Sequence, residues 1–372
     1  MNKYIWELSQ WEHFSWNEAE LLPLVSTARL KQGQLIQKIK ALATEELDRA
    51  EAKIFEEETL KTAQIEGETY NPQSVRSSIY RRLGLDYAGL PHTERHIDGL
   101  VEILFDATLH YDLPLTHKRL FGWHAALFPT GYSGLVEIKA GSYRTDSTGP
   151  MQVISGPIGK EKVHYQAPQA HLVPREMERF LEWWKTSKYS MEGIIRAGVA
   201  HFYFVTIHPF ADGNGRIARA IADMALAQDD KLAKRYYSLS AAILSQRKTY
   251  YEVLEQSQKG TQDITRWLVW FLQCFITALD TSERLLRNIF QKSTFWDKYR
   301  NTEINAKQRK VLNLLLDAGQ EGFEGGLTTR KYRGITKVSR ATAARDISDL
   351  LQKGLIKQNE GQGRNVNYDI NW

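Results

Sequence analysis

Apolar residues recur at a helical period along most of the chain, and that spacing predicts helices over 17–42, 45–65, 93–110, 116–128, 174–186, 193–204, 216–227, 246–256 and 263–292. One stretch breaks the pattern. Residues 139–164, KAGSYRTDSTGPMQVISGPIGKEKVH, are rich in Gly, Ser and Thr around the β-branched pair Val153 and Ile154, and read as a loop or hairpin. After Asn301 the character changes again. AKQRKVLNLLLDAG reads as a helix stopped at Gly319, LTTRKYRGI and VSRATAARDISDLLQKG as two more, with Thr328 and Ser339 at the N-cap positions. LIKQNEGQGRNVNYDI alternates apolar and polar around Gly361 and Gly363, which predicts a hairpin. Three helices and a hairpin within about 70 residues follow the plan of a winged helix-turn-helix. The expectation is a mainly α chain in three parts: an N-terminal helical domain (1–92), an all-helical core interrupted by a hairpin (93–300), and a winged helix-turn-helix (301–372).

Composition narrows the classes. With 42% apolar and 25% charged residues over 372 positions, ordinary burial can fold the chain, and neither disorder nor a fibrous repeat is indicated. No apolar run approaches the roughly 18 to 20 residues that cross a bilayer, and the opening MNKYIWELSQWEHFSW is too aromatic and polar for a signal peptide, so a cytoplasmic protein with no membrane partner is expected. Cys274, the sole cysteine, sits in the apolar pattern WLVWFLQCFITAL and reads as a buried structural thiol, which leaves no disulfide framework and no cysteine metal site. The aromatic cluster Trp6, Trp11, Phe14 and Trp16 reads as core or interface. From Thr302 onward there are twelve Lys and Arg against eight Asp and Glu, a net +4 of the chain's +5. A basic tail makes nucleic acid a candidate partner, although such an excess also suits a solvated surface.

The densest chemistry lies in HPFADGNGRIAR, residues 208–219. Asp-Gly-Asn-Gly is a turn sequence, and the segment RIARAIADMALA behind it is helical. A glycine-rich turn entering a helix aims free N–H groups and the positive end of the dipole at one point, which makes an anion site. Arg216 and Arg219 are three apart on one helical face and add forked contacts to phosphate oxygens. Asp212 is a hard ligand suited to Mg²⁺ carried in with a nucleotide. His208 titrates near neutrality and suits the deprotonation of a hydroxyl beside that anion.

These residues resemble the signature of the Fic family, His-Pro-Phe-x-(Asp/Glu)-Gly-Asn-Gly-Arg-x-x-Arg, with every specified position present. Around them LTHKRLFGWHAALF, SYRTDSTGPMQVISG, VPREMERFLEWW and QRKTYYEVLEQS are similar to Fic proteins as well, over roughly Thr93 to Arg287. The resemblance implies an all-α Fic core with a β-hairpin flap and transfer of AMP from ATP to a Ser, Thr or Tyr hydroxyl of a target protein, and of the chain itself. It implies His208 as general base, Asp212 as the Mg²⁺ ligand, Gly213, Asn214 and Gly215 as the anion hole with Arg216 beside it, and Arg219 on the γ-phosphate. It further implies a flap around Val153, Ile154, Ser155 and Gly156 that pins the target by strand pairing, with Tyr250 or Tyr251 bordering the adenine.

Upstream, KTAQIEGE ends the helix predicted from about residue 45, with Gly67 as its stop. In a Fic protein Thr62, Glu66 and Gly67 resemble the inhibitory motif (Ser/Thr)-x-x-x-Glu-(Gly/Asn). The resemblance implies that Glu66 pairs with Arg219 and excludes productive ATP, with Thr62 anchoring the helix one turn earlier. The same glutamate also suits the positioning of water for de-AMPylation. YIWELSQWEHFSWNEAEL resembles a small helical domain ahead of some bacterial Fic cores. In the tail, a DNA-binding reading uses VSRATAARDISDLL as recognition helix, with Arg340, Arg345 and the wing residue Arg364 facing phosphate; a protein-docking role fits the same plan. Two functions of different class follow: an autoinhibited adenylyltransferase using ATP and Mg²⁺, and a DNA-binding regulator whose Fic core senses nucleotide. An exposed apolar stripe on the helical core would make a homodimer plausible.

Overall fold

The structure is a computed structural model, and it describes residues 3–40, 44–86, 89–146, 149–156, 160, 162–319, 323–359 and 366–372. The chain forms α1 (Glu18–Lys40), α2 (Thr44–Ile65), α3 (Pro72–Leu83), α4 (Arg95–Leu109), α5 (His117–Leu127), β1 (Tyr132–Ser133), β2 (Val136–Glu137), β3 (Gln152–Ser155) and β4 (Lys162–Gln166). It continues through α6 (Val173–Ser187), α7 (Gly193–Ile207), α8 (Asn214–Asp230), α9 (Leu239–Ser245), α10 (Arg247–Gln258), α11 (Thr265–Lys298), α12 (Ala306–Asp317), α13 (Thr329–Thr336), α14 (Arg340–Gln352), β5 (Ile356–Gln358) and β6 (Tyr368–Ile370). The fold is mainly α, and the described strands form three separate antiparallel pairs, β1–β2, β3–β4 and β5–β6. No described helix is long and apolar enough to cross a membrane.

Two compact units share this chain: Met1–Gln37 with Glu51–Ser282, and Lys38–Ala50 with Glu283–Trp372. At the centre of the first is α7, whose residues from Ile194 to Ile207 are all buried. A helix that is apolar on every side has to be enclosed by others. Gly198 makes the close approach of α11 possible, since a Cβ there would come within 2.9 Å of Leu268 and 3.0 Å of Phe271, and Trp267 Nε1 donates to its carbonyl at 2.8 Å. The N-terminal aromatics pack into this core as expected: Trp11 and Phe14 lie edge-on to Tyr203 at 5.1 and 5.4 Å. Within the first unit, helix α2 is fixed by Phe55, stacked on Phe105 at 4.2 Å, and by the buried Glu58 carboxylate, which accepts from Ser238 Oγ at 2.7 Å and from the Ser240 N–H at 3.0 Å. Those contacts determine where the C-terminal end of α2 is delivered. Cys274 is buried, and burial pushes its thiol up to about 12.

The second unit holds α12, α13, α14 and the β5–β6 pair around Val311, Leu315, Tyr332, Ile347, Leu350 and Ile370. Thr328 and Ser339 cap α13 and α14 by accepting from the N–H groups of Lys331 and Thr342, and Leu327 bridges to Tyr368 beside the β5–β6 pair. Phe295, Trp296 and Tyr299 of the α11 end belong to this core, so the unit takes in the chain from Glu283, ahead of the expected division at 300/301. Gly361, Gly363 and Arg364 lie outside the described residues.

Four elements were not predicted. Helix α3 hides its period because its buried face includes Ser74, Ser77 and Ser78, although Asn71 capping from 2.9 Å and Pro72 at the first turn both mark its start. Helix α9 is short, and β1 and β2 have two residues each. Helix α8 begins at Asn214, two residues ahead of the predicted start, because the glycine turn is itself the first turn of the helix.

Candidate active site

Residues 208–213 join α7 to α8, and both ends of that loop are left-handed: His208 at φ 51 closes α7, and Gly213 at φ 79 caps α8. Position 213 has to be glycine on two counts, because a Cβ would also stand 3.0 Å from Leu127 and Phe128. The Asn214 side chain closes the loop on itself, its Oδ1 accepting from the Phe210 N–H and its Nδ2 donating to the Phe210 carbonyl, both at 2.9 Å. Its amide is thereby committed to the loop, and Asn214 faces an anion only through its backbone.

A second clamp comes from Arg144, which sequence reasoning missed. Its N–H donates to the Pro209 carbonyl at 3.0 Å and its Nε to the His208 carbonyl at 2.7 Å, while Nη2 donates to Pro168. The guanidinium is buried, and burial lowers its pKa below the ordinary value. The signal available in the sequence was an arginine inside the otherwise small and polar SYRTD stretch.

His208 Nδ1 lies 3.1 Å from the Val205 carbonyl, an acceptor, so Nδ1 carries the proton and Nε2 keeps its lone pair. Burial lowers the imidazole to about 4, with the Val205 bond and the Asp212 and Glu66 charges opposing it and the Arg144 charge adding to it. At neutral pH the ring is a base. Asp212 Oδ1 accepts from the Gly213 N–H at 2.6 Å and Oδ2 from Ser133 Oγ.

Arg219 is fully buried and surrounded by the end of α2. Nε donates to Thr62 Oγ1 at 2.7 Å, and Nη2 to the Thr62 carbonyl at 3.1 Å and to Glu66 Oε1 at 2.7 Å. Burial alone would lower its pKa; the Glu66 charge and hydrogen bond carry it above the ordinary value. A Cβ at Gly215 would come 2.4 Å from Glu66 Oε1, so the Glu66 carboxylate rests against the first turn of α8. There the N–H groups of Asn214, Gly215 and Arg216 have no intrahelical acceptor. Gly67, at φ 86, ends the helix beyond Glu66. A second carboxylate from the same turn, also unforeseen, holds the other arginine: Arg216 Nη1 donates to Glu68 Oε1 and Oε2 at 3.0 and 3.1 Å, and Tyr70 Oη donates to Glu68 at 2.6 Å. Arg219 Nη1 and Arg216 Nε are buried with no hydrogen-bond partner among the described residues.

Of the two expected adenine neighbours, Tyr250 is buried with its hydroxyl 2.9 Å from His201 Nε2, and Tyr251 is 38% exposed, donating to the Ile65 carbonyl at 3.2 Å. In the β3–β4 hairpin the register shifts between Val153 and Ile154. Val153 packs toward Tyr4 and Tyr165, while Ile154, Ser155 and Gly156 are exposed. Tyr165 Oη donates to the Thr206 carbonyl at 2.6 Å, tying the hairpin to the helix end that carries His208.

The glycine turn places two arginines, a carboxylate and an imidazole around one helix start, an arrangement suited to an anion, and comparison with known proteins gives the family of the domain that carries it. Residues 114–226 match the Fic/DOC family model, so the chain carries a Fic domain, preceded over residues 4–85 by a match to a domain of unknown function, DUF4172. The chain is 27% identical over 238 residues to a protein named protein adenylyltransferase Fic from Drosophila ananassae, and 23% identical over 244 residues to one of the same name from Culex quinquefasciatus. Each match takes in 63% of this chain and 43% of the relative, so the chain spans less than half the length of the curated relatives it matches. The fold is similar to that of a Fic domain containing signaling protein from Bacteroides thetaiotaomicron, with a TM-score of 0.52 at 19% identity over 69% of this chain and 96% of that one.

Proposed function

We propose that the chain is an autoinhibited protein adenylyltransferase, transferring AMP from ATP to a hydroxyl side chain. The observation that carries this is the joint geometry of the 208–219 loop: a neutral His208 whose Nδ1 is bonded to a carbonyl, beside a helix start whose two arginines each keep a donor with no partner among the described residues. Orphaned buried donors next to an anion site fit the phosphates of a nucleotide. His208 takes the proton of the target hydroxyl as its oxygen attacks the α-phosphorus, and the bond to the β-phosphate breaks to release pyrophosphate. The first-turn N–H groups of α8 hold the α-phosphate oxygens, and Arg216 and Arg219 hold the β- and γ-phosphates. Asp212 supplies a single carboxylate, and no cluster of three or more metal-binding side chains exists among the described residues, which suits a Mg²⁺ that arrives with the phosphates. When bound, that ion neutralises charge on the phosphates and the leaving pyrophosphate. Tyr251 borders the adenine, and residues 153–156 pair with the target segment.

The brake is Glu66. Its contacts with Arg219 and the start of α8 support the reading that it stands where phosphate oxygens belong, so ATP binds productively only after the end of α2 withdraws. The same carboxylate, on a modified target, suits orienting the water of de-AMPylation. The domain reading follows the same logic: an N-terminal part with the inhibitory helix, the catalytic core, and a winged helix-turn-helix. Labelling with α- and γ-labelled ATP, on wild type and His208→Ala, tests the reaction. Label from the α position on an added protein substrate that vanishes with His208→Ala is expected; label from the γ position alone rules AMP transfer out.

A DNA-binding role for the last unit is favoured by one observation. Arg330, Arg333, Lys337, Arg340 and Arg345 are exposed and make no ion pair among the described residues, while Asp346, the single acid between 328 and 348, accepts from Tyr332 Oη at 2.8 Å. Duplex binding whose affinity falls steeply with salt is the expected result, and no binding at low salt assigns this unit to protein docking instead.

A further inference from the structure

The β3–β4 hairpin carries a second, independent set of reactive groups. Ser155 Oγ lies 2.5 Å from His164 Nε2, and His164 Nδ1 lies 2.5 Å from Glu255 Oε2 on α10. Glu255 also accepts from Lys259 Nζ at 2.5 Å; the bonds from Lys259 and His164 hold its carboxyl below the usual range although burial opposes them. An ionised carboxylate only accepts, so His164 Nδ1 donates to it, and in that tautomer Nε2 accepts from the Ser155 hydroxyl. A hydroxyl bonded to an imidazole that a carboxylate orients is the arrangement that activates a serine. Ser155 is exposed on its strand, so an electrophile can reach it. None of these three residues is used by the proposed transfer as a proton acceptor or phosphate contact.

We infer that Ser155 is an activated nucleophile and the chain's own site of adenylylation. The inference rests on the AMP-transfer reading for the donor, and on the Ser155–His164–Glu255 geometry for the acceptor. Ser155 Oγ bonds to the α-phosphorus of ATP, the bridging bond from that phosphorus to the β-phosphate oxygen breaks, pyrophosphate leaves, and the hydroxyl proton passes to His164 Nε2. The resulting imidazolium charge lies on His164 and is stabilised by the Glu255 carboxylate. The product places a nucleotide on the strand proposed to pair with targets, so modification of Ser155 obstructs target docking and limits the enzyme's own output.

The test incubates the full chain, as wild type and as Glu66→Gly, with ATP and Mg²⁺, and maps the modified residue by peptide mass spectrometry. AMP on Ser155 is expected, lost in Ser155→Ala, retained in Ser155→Thr, and slowed by about 100-fold in His164→Gln as a positioned base is removed. Glu255→Gln gives a second variant that leaves both hairpin strands unaltered. AMP found only at other residues overturns the assignment of Ser155 while leaving AMP transfer standing. If no AMP is transferred to any protein, the transfer reading and the adenylylation of Ser155 fall together. A fluorophosphonate probe, which needs no nucleotide, reads the nucleophile separately: labelling of Ser155 that drops in His164→Gln supports activation, and an unlabelled Ser155 refutes it.

Discussion

Replacing Glu66 with glycine removes one charged hydrogen bond from Arg219 and leaves the two contacts from Thr62 in place. A hydrogen bond to a charged group contributes about 1.5–3 kcal/mol. If ATP has to displace that bond, its removal lowers the barrier to productive binding by the same amount, and kcat/KM for ATP rises by about 10- to 150-fold at about 1.4 kcal/mol per decade. Stability moves the other way. Arg219 is fully buried, so losing its carboxylate leaves an uncompensated charge, and Tm falls relative to wild type. Saturating ATP then restores more Tm in Glu66→Gly than in wild type, because the nucleotide supplies the missing anion. The assay is AMP incorporation from α-labelled ATP with thermal melts on the same samples. Equal kcat/KM in the two proteins, or a Glu66→Gly protein that is both more stable and unresponsive to ATP, refutes the reasoning.

Glu68→Gln removes the charge that holds Arg216 and should raise kcat/KM by a smaller factor than Glu66→Gly, read in the same assay, because Arg216 retains Asp212 at 3.8 Å. Arg144→Ala leaves the carbonyls of His208 and Pro168 without that donor, at about 1–3 kcal/mol for each that stays dry, so Tm drops and activity falls with it; an unchanged melt would show the clamp to be dispensable. Burial lowers His208 and His124 to about 4 and His201 to about 3, below their unfolded value near 6.5. The unfolded chain therefore binds more protons as pH falls below about 6.5, and stability is full above that value and declines from there toward pH 4, measurable by denaturant titration across pH. Cys274, with its thiol pushed up to about 12, should resist thiol reagents in the folded protein and react fully once denatured.

The 208–219 loop was legible because all its parts lie within one turn and one helix start, where local chemistry dictates local geometry. The helical core was legible for a similar reason, since α7 and α11 carry long apolar patterns. What escaped was whatever depended on distant pairing. Arg144 meets His208 across 64 positions, Glu68 meets Arg216 across 148, and His164 meets Glu255 across 91. In each case one partner looks like an ordinary surface charge until the fold supplies the other. Helix α3 escaped for a different reason, because buried serines fill its inner face and erase the apolar period. The glutamate at position 66 lies between these cases: 153 positions separate it from Arg219, and it was found through a resemblance rather than through its own neighbourhood.

Glu66 and Glu68 are carried by one turn, two residues apart, and each is bound to a different arginine of α8. The turn behaves as a two-pronged plug in one socket. In the proposed brake, freeing one prong leaves the other bound, so full withdrawal of the turn requires both ion pairs to part. A signal that works on this protein has only to move a single turn of chain, yet it must supply the energy of both ion pairs at once. Under that proposal, the arrangement sets a threshold for release and keeps basal transfer low even where ATP is abundant.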